Sequence, residues 1–293
     1  MSANTPLDDL RQEIDAIDNA IHDLIIARTK VVEQVREEKR GQKIKIRPAR
    51  ECSIIYRLME RHTGPFPKRE LARIWRELIV ATLSFEGPFS IGVHIPSESE
   101  SDDTRHNMQI EYCNMIRDQY GSFTPMSKYS SATKLVDAVK KHKVAIGILA
   151  APKQAEQDPW WPLLASKASD TPRIINRLPF VGIAQDYNTN IDALVICPVP
   201  SEPTGRDHTF LVIETAEKIS LKKITSALTH ADINQVYTAA WNEKGPNSRY
   251  LYLVEAKGFI TNEDDTILRL GEHLGGTTSL IQTIGSYGQP LAL

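Results

Sequence analysis

The stretch LDDLRQEIDAIDNAIHDLIIARTKVVEQV, residues 7–35, decides how the first part of this chain folds. Leu7, Leu10, Ile14, Ile17, Ile21 and Leu24 recur at alternating steps of three and four, and the same line runs on through Arg28, Val31 and Val35. That is a helical stripe held for four heptads. Thr5 can cap such a helix, Pro6 suits its first position, Asp8 and Asp9 suit the positive end of its dipole, and Gly41 marks its end. A helix of about 35 residues is about 50 Å long, more than a domain of about 86 residues covers by itself. A partner chain is the natural cover.

Beyond this helix the breakers are unevenly spread. Only four of the 17 prolines (Pro6, Pro48, Pro65, Pro67) and two of the 15 glycines (Gly41, Gly64) precede the seam at Glu86-Gly87-Pro88. An all-helical module is therefore expected before the seam, with strands, turns and shorter helices after it. A second helix is predicted from Pro48 to about residue 62. A third is predicted from about 67 to 86, with Leu71, Trp75 and Leu78 on one line. Glu51 falls in line with Ile55 and Leu58, and the third stripe passes through Thr82 to end on Glu86. An ion inside an apolar stripe needs a partner in the core or a charged ligand.

Arg28 and Lys39, 11 residues apart, return to nearly the same helix face and can address one pocket. Arg11 and Arg28 are 17 residues apart, about 100° out of phase and about 25 Å apart along the axis. If Arg11 serves the same pocket, it must come from the partner chain. Taken singly, each has a plainer reading: Arg11 beside Glu13 and Asp15 fits a paired surface charge, and Glu51 and Glu86 fit terminal carboxylates, although Glu86 is at the wrong helix end for the dipole. What sets them apart is their conjunction, three basic residues and two carboxylates interrupting apolar stripes on three successive helices.

The rest of the composition mainly excludes. The 293 residues carry 35 basic and 37 acidic side chains, which removes the electrostatic case for nucleic acid. The longest apolar run, 144–151, is too short to span a membrane, and the N-terminus has no secretory pattern, so a cytoplasmic address is expected. Cys52, Cys113 and Cys197 have neither the parity nor the spacing of a disulfide framework, and the eight dispersed histidines lack metal-ligand spacing. Ser131-x-x-Lys134 stands without companion motifs, and Gly275-Gly276 lacks the context of a phosphate loop. Trp160-Trp161, between Pro159 and Pro162, reads as a packed loop anchor.

The residues Leu10-Arg11-x-x-Ile14-Asp15, Ala27-Arg28, Val35-x-x-x-Lys39, Pro48-x-Arg50-Glu51 and Trp75-Arg76-Glu77-Leu78-Ile79 with Thr82 and Glu86 resemble the all-helical chorismate mutases over residues 6–86. The resemblance implies an intertwined homodimer of three-helix protomers that converts chorismate to prephenate without metal or cofactor. By the same resemblance, Arg28 and the partner chain's Arg11 clamp the substrate carboxylates, and Lys39 bonds a carboxylate and the ether oxygen. Glu51 accepts from the ring hydroxyl, Arg50 supports the site, Arg47 contributes backbone contact, and Thr82 takes the place of a small hydroxyl residue. Glu86 donates to the ether oxygen only when protonated. Burial favours that neutral form, while Lys39 nearby favours the anion.

After the seam, short apolar runs at 89–93, 144–149, 193–199 and 209–213 alternate with amphipathic stretches at 108–120 and 132–141, so an α/β layer is expected. A helical mutase joined to such a region resembles the bifunctional mutase–prephenate dehydratases, with large departures. Their Gly-Pro-x-Gly-Thr-Phe-Ser signature is here Ile91-Gly92-Val93-His94-Ile95-Pro96-Ser97, and their Thr-Arg-Phe is here His208-Thr209-Phe210. From about 210 the order strand, helix (221–230), strand (236–241), strand (250–256), helix (263–271), strand (279–284) is ferredoxin-like, resembling the family's regulatory (ACT-like) domain. The expected architecture is thus multidomain: a helical mutase domain at 1–87, a degenerate dehydratase-like α/β region at 88–207 and an ACT-like α+β domain at 208–293 with an amino-acid effector as a possible ligand. A bifunctional enzyme and a non-catalytic ligand-sensing dimer are the alternatives.

Overall fold

The computed structural model describes residues 5–38, 46–83, 89–95, 102–182, 191–243, 248–276 and 278–292. Three helices come first: α1 (Pro6–Glu38), α2 (Pro48–Arg61) and α3 (Lys68–Leu83). Thr5 and Asp8 close the start of α1 reciprocally, the Thr5 N–H donating to Asp8 Oδ2 at 3.1 Å and the Asp8 N–H to Thr5 Oγ1 at 3.3 Å. The helix then runs 33 residues with none of its described side chains buried. Its apolar stripe lies open, with Ile14 58% and Leu24 69% exposed.

The other two helices do bury a face. In α2 it comprises Glu51, Cys52, Ile55, Tyr56 and Met59; in α3, Ala72, Arg76, Ile79, Val80 and Thr82. The expected α3 line of Leu71, Trp75 and Leu78 is only half-buried. Because α3 packs on both α2 and α4 (Asp102–Tyr120), its buried arc is centred one position further on, at Ala72, Arg76 and Ile79.

The remaining described residues build one mixed nine-stranded sheet in the order β2-β1-β3-β5-β4-β9-β6-β8-β7. Its first half contains β1 (Ile91–His94), α4, β2 (Met126–Lys128), α5 (Ala132–Lys140), β3 (Ile146–Ala150), β4 (Arg173–Leu178) and β5 (Ala193–Cys197). The β2-β1-β3 group is parallel, and β5 runs antiparallel to both β3 and β4. The second half contains β6 (Asp207–Thr215), α6 (Leu221–His230), β7 (Gln235–Glu243), β8 (Arg249–Lys257), α7 (Asp265–Leu274) and β9 (Thr278–Gly288). Its antiparallel order β9-β6-β8-β7 is the ferredoxin-like arrangement.

The halves join where Ile174 of β4 pairs in parallel with Gly285 of β9. Gly285 has φ of 140°, and a Cβ there would lie 2.2 Å from the Ile174 nitrogen, so only glycine fits this crossing. Neither β2 nor β4 is evident in the sequence. The first is a three-residue edge strand, and the second mixes Arg173, Asn176 and Arg177 with its apolar residues while a register shift between Ile174 and Asn176 breaks the alternation. Trp160 and Trp161 are buried as the loop anchor expected, Trp160 Nε1 donating to the Ala150 carbonyl at 2.8 Å. The helices dock on this layer through Tyr56, whose hydroxyl donates to the Gln289 carbonyl at 2.6 Å, and through Phe180, which packs with Cys52 and Ile55.

Candidate functional site

Arg28 is the polar break in the stripe of α1, and it bends toward α3. Its Nη1 donates to the Leu78 carbonyl at 3.2 Å, and burial lowers its pKa, although an arginine remains charged. The Thr82 hydroxyl donates to the same carbonyl at 3.1 Å and to that of Ile79 at 2.7 Å. Both therefore converge on the last-turn carbonyls of α3, where the negative end of the helix dipole favours a cation. Lys39 and Glu86 lie outside the described residues.

Glu51 takes a different partner. It sits in the first turn of α2, its N–H donating to the Arg47 carbonyl at 3.0 Å, and its Oε2 accepts from Arg76 Nη1 at 3.2 Å. Burial pushes the carboxyl above its ordinary range while the Arg76 charge pulls it back. The Arg76 guanidinium also lies over the Phe180 ring, 4.8 Å from its centroid. Arg76 is the functional candidate that sequence reading missed. The signal was present: a carboxylate in an apolar stripe demands a core partner, and Arg76 shares a helix face with Ala72 and Ile79.

The remaining candidates stand apart. The Arg47 guanidinium is turned to the sheet layer, donating to both oxygens of Glu202 at 2.9 and 3.0 Å, an exposed pair of small energetic weight. Arg50 is exposed on α2, and Arg11 is exposed and paired with Asp8 at 3.3 Å. A single chain thus unites Arg28 with Thr82 and Glu51 with Arg76, and leaves Arg11, Arg47 and Arg50 outside both groups. What the first group offers chemically is a fixed cation beside an open apolar stripe, suited to holding an anion with an apolar body.

The α/β layer has its own charged cluster. Arg177 Nη1 donates to both oxygens of buried Glu255 at 3.1 Å, its Nε reaches Asp192 at 3.1 and 3.2 Å, and His208 Nδ1 meets Glu255 Oε1 at 2.9 Å. The Tyr287 hydroxyl also donates to Glu255. Burial alone would raise the Glu255 pKa, but His208, Arg177 and Tyr287 together hold it below its ordinary value. Next to the cluster, the Thr209 hydroxyl donates to the Gly258 carbonyl at 2.8 Å, pairs with Ser286 at 2.9 Å and accepts from the Ile260 N–H at 3.0 Å. At the carboxyl ends of β1 and β3, a cavity of about 710 Å³ is lined by His94, Ser131, Thr133 and Trp160, with His94 Nδ1 held at 3.0 Å by the Tyr129 carbonyl. No cluster of metal-ligating side chains occurs among the described residues.

Parts of the chain are similar to known proteins. The family model for chorismate mutase type II matches residues 10–87. A bifunctional chorismate mutase/prephenate dehydratase of Stutzerimonas stutzeri is 32% identical over 97 residues, covering 31% of this chain and 27% of that protein. One of the same description from Aquifex aeolicus (strain VF5) is 30% identical over 128 residues, covering 39% of this chain and 34% of that protein. This chain therefore spans about a third or less of the curated relatives it matches. Among solved structures, the prephenate dehydratase of Staphylococcus aureus subsp. aureus Mu50 aligns with a TM-score of 0.46 at 12% identity, covering 68% of this chain and 100% of that one. Residues 10–87, which hold most of α1 and all of α2 and α3, are thus similar to the chorismate mutase type II family.

Proposed function

We propose that this protein isomerises chorismate to prephenate on its helical domain, as a homodimer. The observation that carries the reading is the half-buried Arg28, fixed against α3 beside Thr82 inside the segment that matches the mutase family. The reaction is an intramolecular [3,3] shift in which a C–O bond breaks as a C–C bond forms, so it asks for no nucleophile. It asks for a container that folds the enolpyruvyl arm over the ring and for donors at the ether oxygen, where negative charge develops. In this reading Arg28 and the Arg11 of a second chain hold the two carboxylates, and Lys39 and Glu86 serve the ether oxygen. Glu51 accepts from the ring hydroxyl, Thr82 lines the pocket, Arg50 supports it, and Arg47 acts through its backbone.

The dimer is supported by α1 itself. A 33-residue helix with an exposed apolar stripe leaves surface that water disfavours, and about 25 Å along one axis separates Arg11 from Arg28. No helix among the described residues is long and apolar enough to cross a membrane, in keeping with a cytoplasmic biosynthetic role. The ferredoxin-like half is assigned as an ACT-like effector-binding domain.

The bifunctional activity of the relatives favours a second reading, in which the α/β layer also dehydrates prephenate. Two observations weigh against it. At the position of the dehydratases' threonine stands His208, engaged by Glu255, and the Thr209 hydroxyl is spent on Gly258, Ser286 and Ile260. Incubating the purified chain with chorismate and following both prephenate and phenylpyruvate separates the readings. Prephenate alone supports the first, both products the second, and no consumption a non-catalytic dimer.

A further inference from the structure

Between α3, α4 and residues 179–181 lies a cavity of about 300 Å³, at the junction of the helical domain and the sheet layer. Arg76 and Gln119 both line it, and they are only 2% and 5% exposed. Arg76 uses Nη1 on Glu51 and its face on Phe180, yet its Nε and Nη2 have no hydrogen-bond acceptor among the described residues, and neither does Gln119 Nε2. The Cys52 thiol beside the guanidinium is a poor acceptor. Nε and Nη2 form the side-on edge of the guanidinium, the fork that takes a carboxylate by two parallel bonds.

Buried donors without acceptors are costly, and three of them belong to two residues that line this cavity. The walls near them are apolar, from Ala72, Met115 and Phe180, and the rim is mixed in charge, with Arg69 and Arg73 against Glu70 and Asp118, Arg73 pairing with Asp118 at 3.3 Å. We propose that this cavity binds a small organic carboxylate with an apolar body, held bidentately by the Nε–Nη2 edge of Arg76 and by the Gln119 amide. The ligand and Glu51 then share one guanidinium from opposite sides. Such binding is independent of whether the chain turns over chorismate.

The test uses benzoate as the probe, benzamide as its uncharged isostere and inorganic phosphate as an anion without an apolar body. Each is titrated into the full chain by calorimetry, with the Gln119 side-chain amide followed by NMR and assigned from Gln119→Leu. Benzoate should bind saturably and shift the Gln119 amide, with benzamide and phosphate each weaker by about tenfold or more. Gln119→Leu and Arg76→Lys, which keeps a charge for Glu51 but loses the fork, should each weaken benzoate by about tenfold. Arg28→Ala should bind benzoate as the unaltered chain does. If Arg76→Lys does not fold, Gln119→Leu and the amide shift carry the result. Equal binding of benzamide or phosphate overturns the proposal, as does benzoate binding that survives Gln119→Leu and vanishes in Arg28→Ala.

Discussion

Two buried carboxylates meet opposite electrostatic fates here. Glu51 is raised by burial against one arginine, whereas Glu255 is held low by Arg177, His208 and Tyr287 despite its burial. A carboxylate whose folded pKa lies below its ordinary 4.5 contributes stability that is present above that value and lost as pH falls through the folded one. Thermal unfolding measured across pH 3–7 should therefore show a steep loss of Tm below about pH 4.5, shallower in Glu255→Gln. Equal slopes in the two proteins would rule out this cluster as the source. In the proposed reaction the deciding residue is Glu86, since a carboxyl group donates to the ether oxygen only as the acid. Chorismate turnover should fall as pH rises from mildly acidic to alkaline, and Glu86→Gln should flatten that profile. An unchanged curve removes Glu86 from the mechanism.

Among the elements, α1 was the most legible, because four heptads and a cap at Thr5 set its start and its course through Pro6–Glu38, while its expected end at Gly41 lies outside the described residues. The helices at 221–230 and 132–141 were equally plain, each opened by a serine whose side chain accepts from the third N–H. What escaped reading was packing direction. The face of Ala72, Arg76 and Ile79 was open to reading, but its choice over the neighbouring line of Leu71, Trp75 and Leu78 depends on α2 and α4 coming from distant sequence. The same limit hid β4, whose two arginines reach Asp192, Glu255 and the Thr283 carbonyl far along the chain. If the open stripe of α1 is a dimer seam, Ile17→Glu should halve the mass seen by sedimentation; an unchanged mass would contradict it. Mixing inactive Arg11→Ala and Arg28→Ala chains should restore about a quarter of the activity, since half the dimers are mixed and each mixed dimer has one intact pocket. At the junction of the sheet halves, Gly285→Ala should cost about 3 kcal/mol or more in denaturant unfolding, because its Cβ meets the Ile174 backbone.

At the scale of the whole molecule, a three-helix segment that matches the mutase family model is joined to a continuous sheet whose halves differ in design, one part-parallel and one ferredoxin-like. The contrast in breakers across residue 87 made the first division readable, and the strand-helix-strand-strand-helix-strand order made the last part readable. Less readable was the contact between them, where the Glu51–Arg76 pair, Phe180 and Tyr56 tie the helices to the sheet. The measurement that bears most directly on the account is the fate of chorismate with the purified full chain, read by loss of its absorbance and by separate quantification of prephenate and phenylpyruvate without acid treatment. The account predicts stoichiometric prephenate, no phenylpyruvate, and loss of turnover in Arg28→Ala. Chorismate left unconsumed by a folded, dimeric chain would contradict it.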